Sequence, residues 1–184
     1  VTAVAVSADA APLERAAAEE AVRIIGRLTG AAPALAVTNA LPAPGTAGLL
    51  VIGDSLPGGA EPGEERKAPG DGYAVRVSGG LIRIAGSDPY YTLQGVYRFF
   101  TRVGCAFYVR RDPAFWEDEK TRPTVETYPQ GKRFTVGKGW DEKPRFAYLG
   151  ASKRGNPRET RERKAGVYGN MWDHSADLLV PYSL

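Results

Sequence analysis

The sequence predicts an α/β fold (α+β by some definitions), a small mixed β-sheet with two main helices packed on it. Three observations carry this expectation. Two segments, Ser7–Gly30 and Asp88–Val103, repeat apolar residues at helical spacing. Short Val-, Ile- and Leu-rich runs bounded by Gly, Pro and Asp read as strands, two of them as a hairpin. Both helices carry an apolar stripe, which is what two helices need in order to cover one face of a sheet.

Taken in order, Val1–Val6 reads as a short edge strand. In the first helix, Leu13, Ala17, Ala21, Ile24, Ile25 and Leu28 line one face. Ser7 or Asp9 is its expected cap, Pro12 suits its first turn and Gly30 its end. Pro33–Val37 is a second strand. Ala47–Ile52 is a third, continuously apolar and therefore expected to be buried on both faces. Residues 57–72 form a polar loop dense in Gly and Pro.

Tyr73, Val75 and Val77, then Ile82 and Ile84 after Ser78-Gly79-Gly80, alternate with small or charged residues as in a hairpin. The second helix has Asp88 as its candidate N-cap and Leu93, Val96, Tyr97, Phe100 and Val103 on one face. It ends at Gly104, and Cys105–Val109 returns as a strand. Residues 111–143 read as an irregular linker with one short strand at Phe134–Val136. Beyond it, Phe146–Leu149 resembles a new strand, and Asp177–Val180 is a small apolar segment.

Composition narrows the function classes. With 184 residues, 43% of them hydrophobic, the chain is long enough for one domain and part of a second. A net charge of +3 is too small an excess to point to nucleic acid. The basic run Lys153–Lys164 is interleaved with Glu159 and Glu162, has Glu159 and Arg163 at the spacing of a stabilising helix pair and holds no aromatic residues, so it reads as a self-paired solvated helix. No apolar run is long enough for a membrane helix. The single cysteine, Cys105, excludes an internal disulfide, and one His beside one Cys excludes a zinc cluster. No metal or other cofactor is expected.

The motifs that suggest catalysis are thin. Leu50–Leu56 (LVIGDSL) ends an apolar run in Gly-Asp-Ser-Leu, the nucleophile block of GDSL-type serine esterases. Such a serine needs a base, and His174 is the only histidine. The Gly-x-Asn-Asp and Asp-x-x-His blocks of that pattern are not matched by Gly169–His174. Ser55 therefore reads as part of a turn after a buried strand. Gly137-Lys138-Gly139 lacks phosphate-loop spacing. Glu117, Asp118 and Glu119 are adjacent acids, not two carboxylates facing each other across a sugar.

The stronger signal is Gly95–Val109 (GVYRFFTRVGCAFYV), an amphipathic helix that passes through Val-Gly-Cys straight into an aromatic strand. Together with Leu28-Thr29-Gly30, Leu49–Gly53 and Asp71–Asp88, in that order, it resembles the N-terminal accessory domain of glycoside hydrolases. That domain stands ahead of the barrel in bacterial α-glucuronidases, in β-N-acetylhexosaminidases and in uncharacterised relatives. The resemblance implies an accessory α/β domain over residues 1–110, a linker over 111–143 and, over 144–184, the start of a truncated catalytic (β/α)8 barrel. The barrel's catalytic acids would lie beyond Leu184, so no catalytic residue is expected in this chain.

The same resemblance implies a non-catalytic domain that stabilises its own downstream barrel, in a secreted or periplasmic bacterial protein whose signal peptide is not in this chain. Lys143–Gly150 resembles the route into the first barrel strand. Leu149 stands where hexosaminidases place a substrate-binding arginine, which counts against that parent. Trp172 and His174 are the implied substrate-binding residues, one stacking on a sugar and one bonding a hydroxyl or carboxylate, once the barrel is present. The expected partners are that barrel and an oligo- or polysaccharide, with no nucleic acid and no membrane. The alternatives are a free-standing carbohydrate-binding module, using Trp116, Trp140 or Trp172, and the GDSL-type esterase.

Overall fold

The computed structural model describes residues 1–41, 48–58, 63–68, 70–109, 124–129 and 135–143. The chain divides into two units, one of Val1–Gly104 with Tyr128–Arg145, the other of Cys105–Thr127 with Phe146–Leu184. The first is a six-stranded mixed sheet with two helices packed on it, as the sequence predicts.

Its strands are β1 (Ala3–Ser7), β2 (Ala34–Thr38), β3 (Leu49–Ile52), β4 (Tyr73–Ser78) and β5 (Leu81–Gly86), with helix α1 (Pro12–Thr29) between β1 and β2 and α2 (Pro89–Arg102) after β5. Past α2 come β6 (Ala106–Val109), β7 (Thr124–Thr127) and β8 (Trp140–Glu142). The sheet order is β2-β1-β3-β5-β4-β8. The first four strands in that order are parallel; β4 runs antiparallel to both β5 and β8. In the second unit, β6 and β7 form an antiparallel pair, Ala106 opposite Thr127.

One face of the sheet lies under the helices. α1 packs over β1, β2 and β3, α2 packs over β5 and β4, and the helices touch side by side. The predicted stripe of α1 is there: Ala17, Ala21, Ile24 and Ile25 are buried. From α2, Leu93, Val96, Tyr97 and Phe100 are buried. Gly95 lets α2 approach this closely, because a Cβ there would stand 2.9 Å from Ile84 Cγ2 and from Tyr73 Cγ. The entropic disadvantage of glycine inside a helix is offset by that contact.

The opposite face is covered by chain without regular structure. Ala5, Leu49 and Val51 bury against Leu56 from the loop after β3, with Ala3, Ala36, Leu41 and Leu81 around them. β3 is buried on both sides, as its unbroken apolar run predicts.

Several expectations need correction. β1 is not an edge strand; it sits between β2 and β3, because the α1 crossover returns β2 to one side of it and β3 pairs on the other. α1 is not capped by Ser7 or Asp9. Its N-cap is Ala11, whose N–H is held by the Glu14 carboxylate at 3.2 Å, while Ser7 Oγ accepts from the Asp9 N–H. Asp88 does cap α2, accepting from the Tyr90 and Tyr91 amides at 2.8 and 3.0 Å. Thr135 and Val136 form no strand. The stretch 111–143 instead contributes β7 and β8, and β8 extends the main sheet beside β4.

Candidate functional site

In an open sheet of this kind, ligands bind outside the carboxyl ends of parallel strands, where neighbouring chain connections diverge. Here that place lies between β1 and β3: β1 leads through α1 to β2, whereas β3 is followed on its other side by the β4–β5 hairpin. β1, β3 and β5 all end at this edge, and both helices start there. The local sequence is Ser7–Ala11, Gly53-Asp54-Ser55 and Gly86-Ser87-Asp88.

The central group is Glu14, a glutamate only 8% exposed. Its Oε2 accepts from the Ala11 N–H, and its Oε1 lies against Gly53, where an added Cβ would come within 2.7 Å. Gly53 also holds φ at +86°, so the residue after β3 is glycine for two reasons. Burial raises the Glu14 pKa above its ordinary 4.5, and the negative charge of Asp54 raises it further; the Ala11 hydrogen bond and Lys67 act the other way. A buried carboxyl of this kind in a strand-end crevice is a usual sign of acid–base chemistry. Its geometry here is that of a cap: it fills the α1 N-terminus that an anionic ligand would otherwise use. The sequence signal was Glu14 standing three residues after Ala11, the position from which a capping glutamate reaches back.

Around Glu14 the edge is closed by the chain itself. Arg15 donates to the carbonyls of Ala8 and Ala10. Asp88 occupies the start of α2. Thr92 Oγ1 accepts from the Gly86 amide at 2.9 Å. The loop after β3 is pinned from below by Arg83 on β5, which donates to the carbonyls of Gly53 (2.5 Å), Leu56 (2.7 Å) and Gly58 (2.7 Å). Arg83 is fully buried. Burial, with Arg66 nearby, lowers its pKa to about 10, which leaves it charged at neutral pH.

Its cross-strand neighbour Arg76 holds the next stretch of loop. Arg76 donates to Glu65 O at 2.8 Å and pairs with Glu64 at 3.0 Å and Asp141 at 2.5 Å. The alternation of the hairpin places these arginines on one face, yet no local signal says that a loop covers that face.

The residues singled out from sequence fare unequally. Ser55 is exposed on the turn after β3. Its only candidate base, His174, lies outside the described residues, as do Trp172, Trp116, Glu117–Glu119 and the Lys153–Lys164 run. Trp140 is placed at the start of β8. Its ring lies parallel to Phe99 with centroids 6.2 Å apart, and the Arg102 guanidinium stands 4.6 Å from its centroid. Both neighbours come from α2, so the ring is engaged by the chain itself. Gly139, in the Gly137-Lys138-Gly139 phrase, lets the chain approach the β4 backbone at Val75 and Arg76.

Beside Trp140, Tyr73 donates its hydroxyl to Glu142, and burial followed by that contact raises the phenol's pKa. Cys105 is buried; burial, with Glu126 adding to it, pushes its thiol up to about 11, far from a reactive thiolate. No cluster of His, Cys, Asp and Glu suited to a metal exists among the described residues. Among them, too, no helix is long and apolar enough to cross a membrane. No protein-family model matches the chain, and no curated protein matches it either.

Proposed function

We propose that this chain is the non-catalytic N-terminal accessory domain of an extracellular or periplasmic glycoside hydrolase, serving to stabilise and shape a downstream barrel. One observation carries the reading. The carboxyl edge of the sheet, the place where this architecture offers a ligand site, is taken up by the chain's own capping and pinning groups: Glu14, Arg15, Asp88 and Arg83. An edge filled in this way suits a scaffold better than an enzyme. The ordered phrases that resemble the accessory domain of glycoside hydrolases supply the family context. In this reading, Trp172 and His174 act on sugar only alongside the barrel.

The test is direct. The 184-residue chain should release no nitrophenol from aryl glycosides or from an aryl acetate, and the native polypeptide should have a mass several times 19.7 kDa. Turnover of either substrate class that is lost in Ser55→Ala or Glu14→Gln would overturn the reading.

A further inference from the structure

β8 has a seat built for it. Gly72, just before β4, and Gly139, just before β8, each stand where a side chain is impossible. A Cβ on Gly72 would run into the Glu142 carbonyl, and one on Gly139 into the Val75 carbonyl. Neither glycine has a left-handed φ, so close approach between the two strands, not turn geometry, calls for glycine at both positions.

The side chains of β8 alternate between two sets of partners. Toward α2, Trp140 lies against Phe99 and beside the Arg102 guanidinium. Glu142, on the same side, takes Arg102 at 3.1 Å and the Tyr73 hydroxyl. On the other side Asp141 pairs with Arg76 at 2.5 Å.

These contacts define the strand's place without holding it strongly. None of its three residues is fully buried, whereas all four of β3 are. The Arg102 and Asp141 side chains are each more than half exposed, so their ion pairs are weakened by water. The indole N–H of Trp140 is buried without a hydrogen-bond partner, which costs stability in the docked state. The partners also have somewhere to turn when β8 leaves. Arg76 keeps Glu64 at 3.0 Å and the Glu65 carbonyl at 2.8 Å. Arg102 already stands largely in water, and the Tyr73 hydroxyl lies directly beneath the departing Glu142.

We infer that β8 is a releasable clasp: Trp140–Glu142 lifts from β4 as a unit while β1–β5 and both helices stay folded. The chain from Lys143 onward is thereby tied to the sheet through a joint that opens without unfolding it.

Native-state hydrogen exchange on the 184-residue chain tests this. Amides bonded between β8 and β4 should exchange at least ~100-fold faster than those bonded between β3 and β5. Their rate should be nearly flat in low urea, because a local opening exposes little surface. Glu142→Gln keeps the size of the side chain but removes its charge from Arg102 and Tyr73. It should speed exchange at β8 about 3–10-fold and leave β3 and β5 at their own rates.

Exchange at β8 that matches β3, or that climbs with urea as steeply as β3 does, overturns the proposal and makes β8 an integral strand of the sheet. So does a Glu142→Gln effect spread evenly over β1, β3 and β5, or one absent from β8. None of these results depends on the accessory-domain reading.

Discussion

The two faces of the six-stranded sheet are closed by different physics. Beneath the helices, cohesion is apolar. Ile24 and Ile25 from α1, with Val96 and Phe100 from α2, lie over Val4, Val6, Leu50, Ile52 and Ile84. On the far side, the apolar patch around Leu56 is small, and the cover is a loop held down by Arg83 and Arg76 through backbone carbonyls and the carboxylates of Glu64 and Asp141. A helix brings its backbone hydrogen bonds with it and can be held by hydrophobic contact alone. A loop arrives with unpaired carbonyls, which must be satisfied where they are buried. Long cationic side chains reaching through from the sheet meet that need, and their methylene stems add apolar contact.

If this division is right, truncation on the helix face should act globally. Ile24→Ala removes a fully buried side chain at the meeting of α1 and the sheet. It should cost about 2–5 kcal/mol, seen as a lower midpoint in urea with an unchanged transition slope. A midpoint within experimental error of the unmodified chain would break the comparison from that side.

Arg83→Met should act locally. It removes the Arg83 donor from the carbonyls of Gly53, Leu56 and Gly58, leaving Leu56 only its longer bond from Arg66, at a cost on the order of 1–3 kcal/mol. The loss should appear first as faster hydrogen exchange and easier proteolysis over residues 53–68, ahead of any change in the helices. Uniform loss of protection across α1 and α2 would mean that the loop face is not a separable layer.

The smallest effect sharpens the boundary between the two layers, where Glu14 of α1 touches Gly53 of the loop. The folded-state pKa of Glu14 lies above the ordinary 4.5, so the folded chain binds this proton more tightly than the unfolded chain does. Its contribution therefore improves as pH falls through the raised pKa and is complete below the unfolded value; above the raised pKa the buried charge costs stability. Glu14→Gln should stabilise the chain slightly at neutral pH, with the advantage shrinking on acidification. Urea midpoints measured from pH 7 to pH 4 check the sign. An advantage that instead grows with acid would show that Glu14 is held as a favourable anion.

Elements whose signals are local were legible in the residues. The unbroken Leu49–Ile52 run has no polar side to expose, so it had to be an interior strand. The alternation in Tyr73–Ile84 around Gly79-Gly80 fixed the hairpin, and Asp88 ahead of Pro89 fixed the start of α2. β8 was hidden because three residues following Gly137-Lys138-Gly139 hold no periodicity; β4 recruits them from more than sixty residues away. Ser7 and Asp9 drew the expected α1 cap, although Glu14 stands three residues after Ala11; in the fold Glu14 takes the Ala11 amide and lies against Gly53, just after β3. At the candidate site, neither the strand order that defines the edge nor its filling by Glu14 and Arg83 was legible, because both depend on pairings between distant segments.

By itself, then, the sequence determined the fold class, the two helices, the buried third strand and the hairpin, because periodicity and capping act within a few residues. Tertiary structure alone decided that β1 is interior, that β2 and β8 are the edges, and that Arg76 and Arg83 are buried. A period of two states which side of a strand a residue faces. Whether that side meets water depends on chain that folds back from far away in sequence, here the loop after β3.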